Sequence, residues 1–300
     1  MTHATVSFTP ESTRRVLVAA CRAAGLDPAG ASLMRLGENA LFRLRSAPVV
    51  VRIARNMSHW ETAVKEVSVA RWLATENFAA GRVAKPTDQP IAVGEHPVTF
   101  WELIPGQPAM PEDVSSLGRV LLAFHRLPHP EAFSIPALDV LARVNRRVNS
   151  AEIPSRDKEF LLERCTELRE DISQLNYPLE STVIHGDAHI KNLMMENGNP
   201  ILIDFENVAW GQPEWDLSMT ATEYLTAGWW NAEQYASFSE AYGFDIRDWS
   251  GFATLQATHE IKMTTWVMQN ISQSQKIASE FETRMEKIRY RSTSAKWSPM

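Results

Sequence analysis

The chain has 300 residues, 44% of them hydrophobic, with a formal net charge of −6 and two cysteines. This length and apolar content allow a sizeable core in one large domain or two lobes, and exclude disorder as the default. The acidic balance argues against a nucleic-acid partner, whose phosphates need a basic surface. Cys21 and Cys165 are too few for a disulfide framework or a zinc set, which points to a reducing compartment.

The first fifteen residues hold Pro10, Glu11 and two arginines but no apolar stretch, so no secretory signal is expected. No apolar run approaches the roughly 20 residues of a membrane span, and the expected setting is cytoplasmic, with no membrane partner. Thr9-Pro10-Glu11 reads as an N-cap with proline in the first turn, opening a helix through Val16, Leu17, Ala20 and Cys21 to about Gly25. Three β-like runs follow at 32–36, 40–45 and 49–54, separated by Gly37-Glu38-Asn39 and Ser46-Ala47-Pro48, the pattern of two antiparallel hairpins. Over 59–77 the apolar residues Ala63, Val67, Ala70, Leu73 and Ala74 recur at helical spacing. Further strands are expected at 81–85, 90–93 and 98–103.

Ile104-Pro105-Gly106-Gln107-Pro108 breaks the chain, and the sequence changes character there. Beyond it the pattern is helical over 113–126, 139–149, 155–176 and from Asp216 to the end. The exception is a hairpin of 193–196 and 200–204 around Asn197-Gly198-Asn199. The reading is an α+β chain of two domains: 1–104 with an antiparallel sheet, and 105–300 mainly helical. Ligands favour the junction of such domains.

The chemistry concentrates in His185-Gly186-Asp187-Ala188-His189-Ile190-Lys191-Asn192 and, across the hairpin, Ile203-Asp204-Phe205-Glu206. Phosphoryl transfer needs a carboxylate to orient or accept the proton of an attacking hydroxyl, and oxygen ligands that hold Mg²⁺ on the nucleotide. Asp187 and Asn192 lie five residues apart on one loop, and Asp204 ends a strand leading from it. One hairpin thus brings the three toward one mouth.

The spaced elements His185-Gly186-Asp187 with Asn192, then Asp204-Phe205-Glu206, then Trp210-Gly211 and Glu214-Trp215-Asp216-Leu217, resemble the aminoglycoside phosphotransferase family, with its choline-kinase relatives and protein-kinase-like fold. The resemblance runs over about 33–220. It implies Asp187 as catalytic base, Asn192 and Asp204 as Mg²⁺ ligands, His185 as a brace and Asp216 as a support of the loop. It further implies that Arg52 on the strand Val49-Val50-Val51 touches the nucleotide phosphates and pairs with Glu66. By the same likeness Asn39 belongs to a loop over the nucleotide, and Glu102 and Ile104 border a hinge whose backbone holds the purine. His189 would stand in for a lysine that meets the γ-phosphate. The cofactors implied are Mg²⁺ and ATP, with GTP left open because hinge recognition runs through backbone.

Asp204-Phe205-Glu206 lacks the glycine of the protein-kinase triplet and no Ala-Pro-Glu segment follows, which points to a small-molecule kinase. The acceptor is a hydroxyl-bearing small molecule: an aminoglycoside, an amino sugar or an amino alcohol. Glu214, Glu223 and Asp245 would suit a cationic one, although each alone reads as solvated surface. Trp229, Trp230, Trp249 and Trp266 are aromatic candidates for the pocket and equally ordinary core. Two rivals stand beside this reading. One is a metallohydrolase built on His185, Asp187, His189 and Asp204. The other is a nucleotide-binding pseudokinase, motivated by Arg52 in place of lysine and by the single glycine, Gly37, in the loop.

Overall fold

The computed structural model describes residues 8–85, 88–291 and 296–299. The first seven residues, part of the stretch read for a secretion signal, lie outside them. The chain divides into two compact units. One comprises Met1–Pro108, Pro130–Ser134 and Asn192–Val208; the other comprises Ala109–His129, Ile135–Lys191 and Ala209–Met300.

In the first unit, helix α1 (Pro10–Ala23) begins at Thr9, whose hydroxyl accepts from the Ser12 amide while the Ser12 hydroxyl accepts from the Thr9 amide. That reciprocal cap satisfies two donors the first turn leaves free. Strands β1 (Ser32–Leu36), β2 (Asn39–Arg43), β3 (Val49–Ala54), β4 (Ile91–Val93) and β5 (His96–Glu102) form an antiparallel sheet in the order β1-β2-β3-β5-β4. Strand alternation turns Val49, Val51 and Ile53 into a core shared with Leu17, Cys21, Phe42, Val98 and Phe100. Arg52 therefore projects from the opposite face. Helix α2 (Trp60–Thr75) buries Ala63, Glu66, Val67, Ala70 and Leu73, whereas Ala74, expected on that face, is exposed.

The strand expected at 81–85 does not form. β4 already pairs with the His96–Val98 portion of β5, so this segment gets only the remaining edge. It makes two backbone bonds there, Ala84 N to Phe100 O and Glu102 N to Arg82 O. A smaller sheet joins β6 (Gln107–Pro108), β8 (Leu193–Glu196) and β9 (Asn199–Leu202).

The second unit is mainly helical. α3 (Val114–Phe124) packs on α7 (Ala232–Tyr242), with Gly118 so close that a Cβ there would stand 2.5 Å from the Phe238 carbonyl. α4 (Val140–Ser150), α5 (Ser155–Ser173), α8 (Phe252–Met268) and α9 (Gln275–Tyr290) share a core of Leu141, Val144, Leu161, Cys165, Ile261 and Phe281. Strands β7 (Thr182–Ile184) and β10 (Ala209–Gly211) pair antiparallel, and β10 leads into α6 (Pro213–Thr222), buried along its whole length. The helical run ends at Tyr290. Residues 296–299 are not helical, and Trp297 is buried with the Arg284 guanidinium 4.7 Å from its ring. Residues 292–295 and 300, which the reading of helix to the end included, lie outside the described residues. Among the described residues no helix is long and apolar enough to cross a membrane.

Candidate active site

Arg52 is the centre of a polar cluster in the first unit. Its Nη1 meets Glu66 Oε1 at 2.6 Å and lies 3.9 Å from Asp204 Oδ1, while Nη2 meets Glu206 Oε2 at 3.2 Å. With its amide turned so that the oxygen faces the guanidinium, Asn39 accepts from Arg52 Nε at 3.1 Å and Nη2 at 2.8 Å. Burial works against the Arg52 charge, but Glu66, Asp204 and Glu206 outweigh it and the guanidinium stays protonated. Burial pushes the Glu66 carboxyl up; Arg52 opposes this, and Asp204 and Glu206 add to it. Three carboxylates thus gather around the Arg52 guanidinium. A small pocket lined by Glu38, Asn39, His59, Thr62 and Glu66 opens beside the guanidinium.

Gly37 and Glu38 form the turn between β1 and β2, and the next residue, Asn39, is the one that reaches Arg52. Glu102 ends β5 with its amide committed to the Arg82 carbonyl at 2.8 Å, leaving it no amide for a purine. Ile104 follows the strand, half-buried.

The β8–β9 hairpin pairs Leu193 with Leu202, and Ile203 N donates to Asn192 O at 2.9 Å. Asn192, buried at the end of a short 3-10 turn, and Asp204, just past β9, therefore sit at the same open end of the hairpin. The expected strand to residue 204 stops at Leu202, and Asp204 takes φ 68°, a left-handed value that ends the ladder. Its side chain is 41% exposed.

In the second unit, the loop 185–189 hangs from Asp216. The buried Asp216 carboxylate accepts from His185 N at 2.6 Å and Gly186 N at 2.8 Å, and meets His125 Nε2 at 3.0 Å. Burial raises its carboxyl, but His125 and the backbone donors outweigh that and hold it below the ordinary range. Gly186 has φ 78°, which a side chain would strain. His185 is fully buried with its ring edge-on to Phe124, centroids 6.3 Å apart.

Asp187 meets Lys262 Nζ at 2.8 Å through Oδ1, and His189 Nε2 lies 3.5 Å from Oδ2. Burial favours the neutral acid, but Lys262 and His189 hold the carboxyl well below the usual carboxylate range, so it is ionised at neutral pH. Asp187 in turn keeps the His189 pKa raised against burial. A quarter of the Asp187 side chain remains exposed. An ionised, accessible carboxylate can accept a hydrogen bond from an acceptor hydroxyl and orient it.

The acidic candidates divide. Glu214 is fully buried and accepts from Leu179 N at 2.7 Å; Glu223 is 5% exposed and accepts from Trp230 Nε1 at 2.9 Å. Neither is the solvated charge expected. Burial pushes Glu223 up against the pull of His189. Asp245 is spent on Arg247 and Tyr235. Of the tryptophans, Trp229 donates to Trp297 O and Trp249 to Asn176 O, Trp230 is buried, and Trp266 is 37% exposed.

The family profile described as "Phosphotransferase enzyme family" matches residues 36–255. The chain belongs to the phosphotransferase enzyme family. Among curated proteins none matches the sequence. Solved structures similar to this phosphotransferase family member include amicoumacin kinase hAmiN in complex with AMP-PNP, Ca²⁺ and Ami. That chain is 15% identical, with coverage of 97% of this chain and 98% of that one, at TM-score 0.71. A choline/ethanolamine kinase family protein from Mesorhizobium loti is 18% identical over 93% of both chains, TM-score 0.62. The GDP and kanamycin complex of APH(2")-IIia is 12% identical over 93% and 99%, TM-score 0.66. The fold is accordingly the protein-kinase-like α+β arrangement seen in these solved small-molecule kinases.

For this phosphotransferase the metallohydrolase reading loses its ligand set. The His185 ring packs on Phe124, and among the described residues no three His, Cys, Asp or Glu side chains gather as a metal site. Glu206 belonged to the Asp204-Phe205-Glu206 element without a stated role, and Lys262 had no motif to announce it. Glu206 reaches Arg52 from 154 positions away, and Lys262 reaches Asp187 from 75. The available signal for Lys262 was a lone lysine, beside Glu260, in the otherwise apolar and small-polar helix α8.

Proposed function

We propose that the protein transfers the γ-phosphate of ATP to a hydroxyl of a small molecule, with Asp187 as the base. The observation that carries this is the Asp187 carboxylate, accessible yet kept ionised by Lys262 and His189, on a loop suspended from Asp216. In the proposed reaction Asp187 orients the acceptor hydroxyl and takes its proton as attack proceeds. Arg52, fixed by Glu66 and Asn39, binds phosphate oxygens, and His189 adds positive charge on the transfer side. Glu102 and Ile104 border the purine, with Ile104 the better candidate because the Glu102 amide is taken.

Asn192 and Asp204 offer hard oxygen donors at one hairpin end, with the Asp204 carboxylate partly exposed, so these residues would hold Mg²⁺. When bound, the ion neutralises phosphate charge. The acceptor class is an aminoglycoside, amino sugar or amino alcohol, by analogy with the named relatives; a cytoplasmic setting belongs to the same proposal. Arg52 already engaged by Glu66 and Glu206 is the observation that favours the rival, a nucleotide binder without transfer.

The deciding assay is ADP release from Mg·ATP against kanamycin, glucosamine, choline, ethanolamine and homoserine, with a no-acceptor control and a GTP arm. Acceptor-stimulated release that disappears in Asp187→Asn supports the proposal. Nucleotide binding with no release to any acceptor supports the rival instead.

A further inference from the structure

Lys262 Nζ gives one hydrogen bond to Asp187 Oδ1 at 2.8 Å and another to the Gly186 carbonyl at 3.3 Å. Two of the three ammonium donors are therefore committed to consecutive residues of one loop. The remaining side of the ammonium lies against Trp215, 5.4 Å from the ring centroid, a cation–π contact that fixes its position. Trp215 is itself held: its Nε1 donates to the same Gly186 carbonyl at 3.1 Å, and His259 stacks on it at 3.8 Å. His259 Nε2 lies 3.0 Å from the Trp215 carbonyl and 2.9 Å from Ser218 Oγ, so α6 and α8 together form one braced support. Burial and the nearby Lys262 keep His259 neutral, its pKa pushed down to about 3. The Lys262 side chain is 17% exposed.

Oδ1 of Asp187 is held by Lys262. Oδ2 has His189 Nε2 at 3.5 Å, at the limit of a hydrogen bond. A surface ion pair with mobile partners would leave the carboxylate free to rotate and either oxygen available. Here a charge-assisted bond on one oxygen, anchored through a tryptophan and the loop backbone, fixes the carboxylate plane.

Resting on the phosphotransferase reading above, we propose that Lys262 is a positioning residue for the transfer. It holds Asp187 Oδ1 and the Gly186 carbonyl together and so sets the carboxylate that meets the acceptor hydroxyl. Lys262 acts through Asp187 and not on the nucleotide. Its loss therefore lowers kcat and spares nucleotide affinity, and it matters only while Asp187 is present.

The test compares wild type with Lys262→Met, Lys262→Arg, Asp187→Asn and the Asp187→Asn/Lys262→Met double variant. ADP release from Mg·ATP is measured with kanamycin, choline, ethanolamine and water as acceptors, alongside Mg·ATP affinity by calorimetry and thermal midpoints. Methionine keeps the aliphatic stem over Trp215, and the thermal midpoint verifies that the variant is folded. The expected result is a kcat about 100-fold lower in Lys262→Met. Mg·ATP affinity stays within about twofold, activity largely returns in Lys262→Arg, and the double variant is no slower than Asp187→Asn. Turnover of Lys262→Met within about threefold of wild type would overturn the proposal, as would a loss that multiplies in full on the Asp187→Asn background. Wild type and Asp187→Asn that release ADP equally would instead sink the phosphotransferase reading, and this role with it.

Discussion

Replacing Asp216 with alanine should destabilise the chain severely, and the size follows from its partners. The side chain is fully buried and accepts two backbone N–H groups, from His185 at 2.6 Å and Gly186 at 2.8 Å. Removing it strands both donors, at about 1–3 kcal/mol each, and frees the His125 ring that sits 3.0 Å away. The sum is on the order of 4 kcal/mol, a large share of the 5–15 kcal/mol typical of a folded protein. At about 2–4 °C per kcal/mol the midpoint should fall by roughly 10 °C. His125→Ala leaves both backbone bonds intact but strips a buried partner from Asp216 and from Tyr242, and should cost about 2–3 kcal/mol.

The effect also has a pH signature. Because the native Asp216 pKa is depressed, the folded state holds this proton more weakly than the unfolded chain. Its contribution is complete above the unfolded value near about 4 and is lost as pH falls through the lower native value. Guanidinium titrations followed by tryptophan fluorescence should give a gap between wild type and Asp216→Ala that is constant from about pH 5 to 8 and narrows below about 4. A variant within about 1 kcal/mol of wild type at pH 7 would refute the claim that this carboxylate suspends the loop.

Asp204→Ala should weaken Mg·ATP binding itself, by about tenfold or more, and calorimetry with unchanged affinity would remove it from the metal site. Glu223→Gln keeps an acceptor for Trp230 but removes a carboxyl whose native pKa is raised by burial. Ionising that group costs stability as pH rises, so the variant should gain over wild type at pH 8 and lose the advantage near pH 4, as read from thermal midpoints. Gly118→Ala should gain about 1 kcal/mol of helix propensity and lose more. The new Cβ meets the Phe238 carbonyl at 2.5 Å, so a net loss of about 1–2 kcal/mol is expected in denaturant titrations.

Much of this arrangement is written locally. The β8–β9 hairpin follows from Asn197-Gly198, whose φ values of 51° and 81° are those the two central residues of such a turn need. Alternation in β3 places Arg52 opposite Val51 and Ile53, and Thr9 announces α1 through its cap. What was not legible depends on contacts distant in sequence. Residues 81–85 have strand composition, but β4 takes part of the β5 edge and leaves them a single bridge, Val83 to Trp101. Glu214 and Glu223 look like surface charges until their donors, Leu179 N and Trp230 Nε1, are seen. Lys262 and Glu206 reach their partners across 75 and 154 positions, and no period or spacing encodes such a meeting. The spaced elements carried both the loop residues and Asp216, while Lys262 came from a helix with no motif.

The central claim is that a γ-phosphate ends on an acceptor hydroxyl through Asp187. Phosphorus NMR of Mg·ATP with the stimulating acceptor follows that phosphate directly. The account predicts a new phosphomonoester resonance growing in step with ADP, and its absence in Asp187→Asn. Inorganic phosphate as the sole product with every acceptor, or an Asp187→Asn variant forming the ester at the wild-type rate, would contradict it.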